Sequence, residues 1–287
     1  MSTTGHSARP ARWRPYAAAF SSRFLLMLQY RAAALAGFAT QCWWGGIKVM
    51  VLAAFYAGAS GSAGGAAAMP LAQAITYTWI AQGLLALLPW AGDPEVAQAV
   101  RTGSVAYDRL RPVDAYGFWF ARTAGWIAAR MLPRLGLMLC FAALLLPLAG
   151  HGGWGWQPPA GPLAGALFAV SLGLALLLST ALVMLLNVAA TAALDARGIN
   201  AFAVPVVVVL SGNLLPLALM PDGWQAVLLA QPLAGLMDIP VRLYFGRLAG
   251  WDAAAGLALQ AFWVGALVAL GRLTLARTLA RLDVQGG

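Results

Sequence analysis

The sequence predicts an all-α, polytopic membrane protein, and three observations carry that prediction. Of 287 residues, 61% are hydrophobic and only 9% are charged, against about 45–50% and 25% in a soluble domain. Apolar runs long enough to cross a bilayer recur along the chain, where about 20 residues suffice. The 18 basic side chains outnumber the 9 acidic ones, and they sit between the apolar runs rather than in a polar domain of their own. A water-soluble globule, a disordered tail protein and a disulfide scaffold are thereby excluded. The basic excess is assigned to the positive-inside rule, not to nucleic acid. Cys42 and Cys140 lie inside apolar segments with no paired cysteine or histidine ligand set, so neither redox chemistry nor a metal site is expected.

Elements follow in chain order. Residues 1–31 form a cytoplasmic tail and interface helix, and residues 32–287 one membrane domain with no polar linker to divide it. Tyr16, Phe20, Phe24, Met27 and Leu28 recur at helical spacing, with Ser21, Ser22, Arg23 and Gln29 on other faces. That pattern reads as an amphipathic helix on the inner membrane surface, or as an extension of the first membrane helix. Six spans are expected, near 32–56, 70–90, 131–150, 162–190, 201–220 and 253–273. The stretch 221–252 is apolar but broken by Pro221, Pro232 and Pro240, which predicts short helices re-entering the outer leaflet before the last span.

Charge gives direction. With the N-terminus inside, Arg9, Arg12, Arg14, Arg23, Arg31, Arg101, Arg109, Arg111, Arg122, Arg130, Arg134, Arg197, Arg272, Arg277 and Arg281 all fall on the cytoplasmic side. Only Arg242 and Arg247 fall outside, and Lys48 lies within the membrane. Six helices then place both termini in the cytoplasm.

The inner loop 91–115 is the most informative polar stretch. Asp93, Pro94 and Glu95 make a helix start, because acidic groups and a first-turn proline suit the positive end of a helix. Arg101 sits in the last turn and Gly103 stops the helix. Gln98 lies between them, and Asp108, Arg109 and Arg111 follow. A short capped helix with charges of both signs is a docking element for a soluble partner, or an ordinary solvated loop.

Several segments together resemble the permease subunits of ABC transporters of the ABC-2 type (type V exporters), in a six-helix bacterial branch. The resemblance rests on Tyr30-Arg31, on Glu95 through Val113 with Arg101-Thr102-Gly103 and Asp108-Arg109-Leu110-Arg111-Pro112-Val113, on Leu210-Ser211-Gly212-Asn213-Leu214-Leu215-Pro216-Leu217 followed by Pro221-Asp222-Gly223-Trp224, and on the Val284-Gln285-Gly286-Gly287 ending. It covers nearly the whole chain, and its specificity lies in the order of the motifs. It implies a bacterial inner-membrane exporter in which this permease pairs with a second one, identical or a related paralogue. Two ABC ATPase subunits would dock on the inner loops. Asp93, Glu95, Gln98, Arg101, Gly103, Asp108, Arg109 and Arg111 would form the coupling region. ATP and Mg would sit on the partner subunit and no cofactor on this chain. A Walker A loop ends in Gly-Lys-Ser or Gly-Lys-Thr, and the single Lys48 lies between Ile47 and Val49, so ATP hydrolysis belongs to another polypeptide.

Polar groups in the membrane are the remaining candidates. Lys48 pairs with an acidic substrate group or a partner helix, or snorkels outward. Asn187 and Asn213 join it as pathway residues, or bond across helices. Arg122, Arg130 and Arg134 share one face before the third span, as a site for anionic lipid or acidic substrate, or as a basic flank meeting headgroups. No catalytic set is visible, and an enzyme is not expected. The alternatives are a gradient-driven transporter or channel, which would want a carboxylate within the spans, and a membrane assembly factor.

Overall fold

A computed structural model describes residues 13–59, 69–102, 112–193 and 197–281. Among them the regular structure is entirely helical. Among the described residues, three helices are long and apolar enough to cross a membrane: Ala115–Leu148, Pro162–Ala192 and Gly250–Thr278, with mean hydropathies of 1.9, 2.4 and 1.9. They coincide with the third, fourth and sixth expected spans. The second and fifth are represented by shorter apolar helices, Leu71–Leu87 and Ala201–Leu210.

Ten α-helices are labelled in order: α1 (Arg14–Leu28), α2 (Arg31–Ala59), α3 (Leu71–Gly83), α4 (Pro94–Arg101), α5 (Ala115–Cys140), α6 (Pro162–Ala193), α7 (Arg197–Leu210), α8 (Asp222–Ala230), α9 (Asp238–Tyr244) and α10 (Gly250–Arg281). The expected break at 221–252 is present as α8, a 3₁₀ turn at Pro232–Leu236 and α9.

Helix α5 begins well before the expected boundary at 131. Asp114 caps it, its carboxylate accepting from the Gly117 amide at 2.8 Å, which satisfies one of the free amides of the first turn. Past Cys140 the helical run continues through a π turn at Phe141–Leu145 into a last turn, Leu146–Leu148, that holds Pro147. Proline has no N–H to give the preceding turn, and its ring crowds the carbonyl four residues back. At 1.5 Å per residue, 34 residues span about 51 Å, beyond the roughly 30 Å of a hydrocarbon core.

Cross-helix contacts set the directions. Tyr116 and Trp119 of α5 pack with Met184 and Val188 of α6 and Leu275 of α10, and Ser171 of α6 bonds Gln260 of α10 at 2.8 Å. Helices α6 and α10 therefore run side by side in the same direction, with α5 antiparallel to both. One end of the bundle gathers α1, α4, the start of α5 and the finish of α6 and α10. It carries Arg23, Arg122 and Arg272, each paired with a carboxylate. The opposite end carries Trp154, Trp156, Arg242 and Arg247, with the Tyr244 hydroxyl bonded to the Gln157 carbonyl at 2.5 Å.

Helix α1 lies lengthwise along the first half of α5. The approach is close at Gly125, where a Cβ would meet the Phe20 carbonyl oxygen. A backbone atom cannot swing aside as a side chain can, so Gly125→Ala must push α1 away, a strain of about 1–3 kcal/mol. The expected result is faster tryptic cleavage after the now buried Arg23. Unchanged protection would contradict this packing.

Candidate functional site

At the basic end, α4 is built as its sequence suggests and then tied down by partners the sequence does not reveal. The Asp93 carboxylate accepts from the Glu95 amide at 2.9 Å, and Pro94 occupies the first turn. The Asp93 amide donates to Asn187 Oδ1 at 2.7 Å, which anchors the helix start to α6. Val96 then buries itself among Tyr116, Trp119, Met184, Val188 and Leu275.

Three elements meet on the two acidic groups. Arg23 of α1 donates to Glu95, and Arg122 of α5 donates to the other Glu95 oxygen. Arg23 also lies 3.6 Å from Asp93. Arg23 and Asp93 are buried, with side chains 8% and 1% exposed, whereas Glu95 is 47% exposed. Burial raises the Asp93 carboxyl above its ordinary value, while the guanidiniums of Arg23 and Arg122 pull it back down. Burial likewise lowers Arg23, opposed by the charge of Asp93. Arg23, Glu95 and Arg122 border a cleft of about 300 Å³ that also touches Ser22 and Phe118.

Of the expected coupling residues, Asp93 and Glu95 face this internal cluster, and Gln98 is exposed on α4. The side chain of Arg101, and Gly103, Asp108, Arg109 and Arg111, lie outside the described residues. Arg23, expected on a polar face of an interfacial helix, instead turns inward.

The three expected pathway residues do not form one site. Asn187 serves the α4 anchor, and its amide oxygen leaves no room for a Cβ at Gly92. Lys48 and Asn213 do meet: Lys48 Nζ donates to the Asn213 carbonyl at 2.8 Å and lies 3.5 Å from its side-chain oxygen. Lys48 thus bonds within the chain instead of reaching for a surface. Its cavity, about 400 Å³, is walled by Trp44, Ile47, Val51, Tyr77, Leu214 and Pro216. Among the described residues no carboxylate pairs with Lys48.

The Asn213 carbonyl is presented by a turn after α7. Gly212 has φ +82°, a region that side chains other than glycine rarely adopt. The Tyr77 hydroxyl donates to the Gly212 carbonyl at 3.1 Å. Behind the turn Asp238, 1% exposed, accepts from the Leu217 amide at 3.1 Å and from Arg242 Nε at 2.5 Å. Sequence reasoning missed this carboxylate, although the four-residue Asp238–Arg242 spacing marks a helical ion pair.

The basic face expected from Arg122, Arg130 and Arg134 is divided. Arg122 joins Glu95, and Arg130 and Arg134 turn to a separate groove with Met27 and Tyr30.

No family model matches the chain, and no curated protein and no solved structure matches it.

Proposed function

We propose that this chain is the permease subunit of an ATP-driven exporter of the ABC-2 type in a bacterial inner membrane. The observation that carries the reading is the Arg23–Asp93–Glu95–Arg122 cluster, which joins α1, α4 and α5 at the basic end. A force applied to α4 by a soluble motor passes through these ion pairs into α5, which extends across the bundle. In this reading the chain makes six spans with both termini cytoplasmic. Helix α3 and its 3₁₀ tail at Leu84–Leu87 add up to about 28 Å at 1.5 and 2.0 Å per residue. That is close to a hydrocarbon core, which supports the second span. Helices α8 and α9 form the re-entrant outer segment.

ATP and Mg bind two partner ATPase subunits, and this chain performs no catalysis. A second permease covers the face of α2 that exposes Trp44, Val51 and Phe55, residues at helical spacing in contact with the Lys48 cavity or beside it. The substrate is an amphiphile whose acidic group meets Lys48 and whose apolar body fills the cavity.

A gradient-driven transporter has one observation in its favour, the buried Asp238. Its partners, Arg242 and the Leu217 amide, hold that carboxylate in a structural role instead.

The test is purification of the tagged chain in mild detergent from its native host. A polypeptide bearing a Walker A sequence is expected to accompany it in stoichiometric amount. Purification without any ATPase overturns the reading.

A further inference from the structure

We propose that Arg130 and Arg134 form a binding site for the phosphate headgroup of an anionic membrane phospholipid, independent of the transport reading. The two arginines lie one helical turn apart on α5 and border a groove of about 370 Å³ between α5 and the α1–α2 junction. Its remaining walls are apolar or amphipathic: Met27, Tyr30, Ala33, Ala34, Trp126 and Leu137.

What distinguishes this pair is the absence of an anion. Arg23, Arg122, Arg242 and Arg272 each meet a carboxylate. Among the described residues, neither Arg130 nor Arg134 does. Arg130 is instead held over the Trp126 ring, its guanidinium carbon 4.6 Å from the ring centre. Arg134 extends toward α2 at Gly37, where a Cβ would stand only 3.1 Å from its terminal nitrogen. An aromatic face and a missing side chain thus fix two half-buried guanidiniums beside one open groove. Two positive forks fixed together match a phosphate, which accepts bidentate hydrogen bonds from each.

The position selects a lipid over a free anion. Arg130 lies eight residues beyond Arg122, the residue tied to Glu95 at the basic end. That is about 12 Å along the helix. Beyond Arg134 the helix is uncharged through Leu148. The pair therefore stands where the polar part of α5 gives way to the apolar part. A headgroup there can leave its acyl chains along Leu137 and the apolar turns beyond it.

The experiment measures binding of fluorescently labelled phosphatidylglycerol to the detergent-solubilised full chain, with unlabelled competitors. Unlabelled phosphatidylglycerol is expected to displace the label, phosphatidylcholine to be at least about tenfold weaker, and inorganic phosphate at equal concentration to have no effect. The double substitution Arg130→Gln/Arg134→Gln is expected to weaken binding at least about tenfold, a factor equivalent to about 1.4 kcal/mol. Arg130→Lys/Arg134→Lys should retain part of it. Equal competition by phosphatidylcholine, displacement by inorganic phosphate alone, or unchanged binding by the glutamine variant would overturn the proposal. The competitor series on the unaltered chain decides even where a variant fails to fold.

Discussion

Replacing Arg23 with methionine is expected to destabilise the chain by about 3 kcal/mol, the lower part of the range for breaking a buried ion pair. The cost arises at Asp93, whose side chain is 1% exposed and whose charge would lose its nearest cation. Glu95 contributes little to it, because it is half exposed and keeps Arg122. Adding Asp93→Asn removes the stranded charge, so the double variant should be more stable than Arg23→Met alone. Additive losses in thermal denaturation would contradict the pairing. The defect also has a sign with pH. Burial already raises the Asp93 carboxyl, and loss of Arg23 raises it further. The folded variant then holds a proton that the unfolded chain releases above about pH 3.9. Its stability therefore falls as pH rises toward the raised folded value, and the defect should be smaller at about pH 5 than at about pH 8.

Asp238→Ala is expected to cost about 3–5 kcal/mol, since it strands Arg242, whose side chain is 15% exposed, and leaves the Leu217 amide without its acceptor. Among the described residues one Arg242 terminal nitrogen already lacks a partner. Asp238→Asn should lose less, because an amide oxygen can still accept from Leu217. The second consequence is local. Asp238 packs against the Gly212 turn, and that turn presents the Asn213 carbonyl to Lys48. Chemical labelling of Lys48 should therefore be faster in Asp238→Ala than in the parent chain. A variant with parental melting temperature and parental Lys48 labelling would contradict this account of the turn.

The helical class, the three long apolar helices and the capped start at Asp93-Pro94-Glu95 were legible because each depends on local pattern. Apolar runs and a capping residue act within one or two turns. Arg23 was not legible in the same way: its partners lie on another element, and nothing in the α1 periodicity separates an inward arginine from a solvated one. The division of the basic face of α5 was hidden for the same reason. Helical geometry does put Arg122, Arg130 and Arg134 on related faces, but Glu95 claims only the first. The early start of α5 at Ala115 was missed because hydropathy finds the apolar stretch, whereas Asp114 fixes where the helix begins. Lys48 was recognised as unusual from its surroundings, yet its acceptor is a backbone carbonyl 165 residues away, which carries no residue-type signal at all.

In the proposed exporter, a motor would dock on the face of α4 that Gln98 exposes. A photo-crosslinking amino acid placed at Gln98 of the full chain, in its native host membrane, tests it most directly. The account predicts a covalent adduct with a polypeptide that bears a Walker A sequence, and none from the same group placed at Trp154 on the opposite end. An adduct that forms only at Trp154, or none with any ATPase at Gln98, would contradict it.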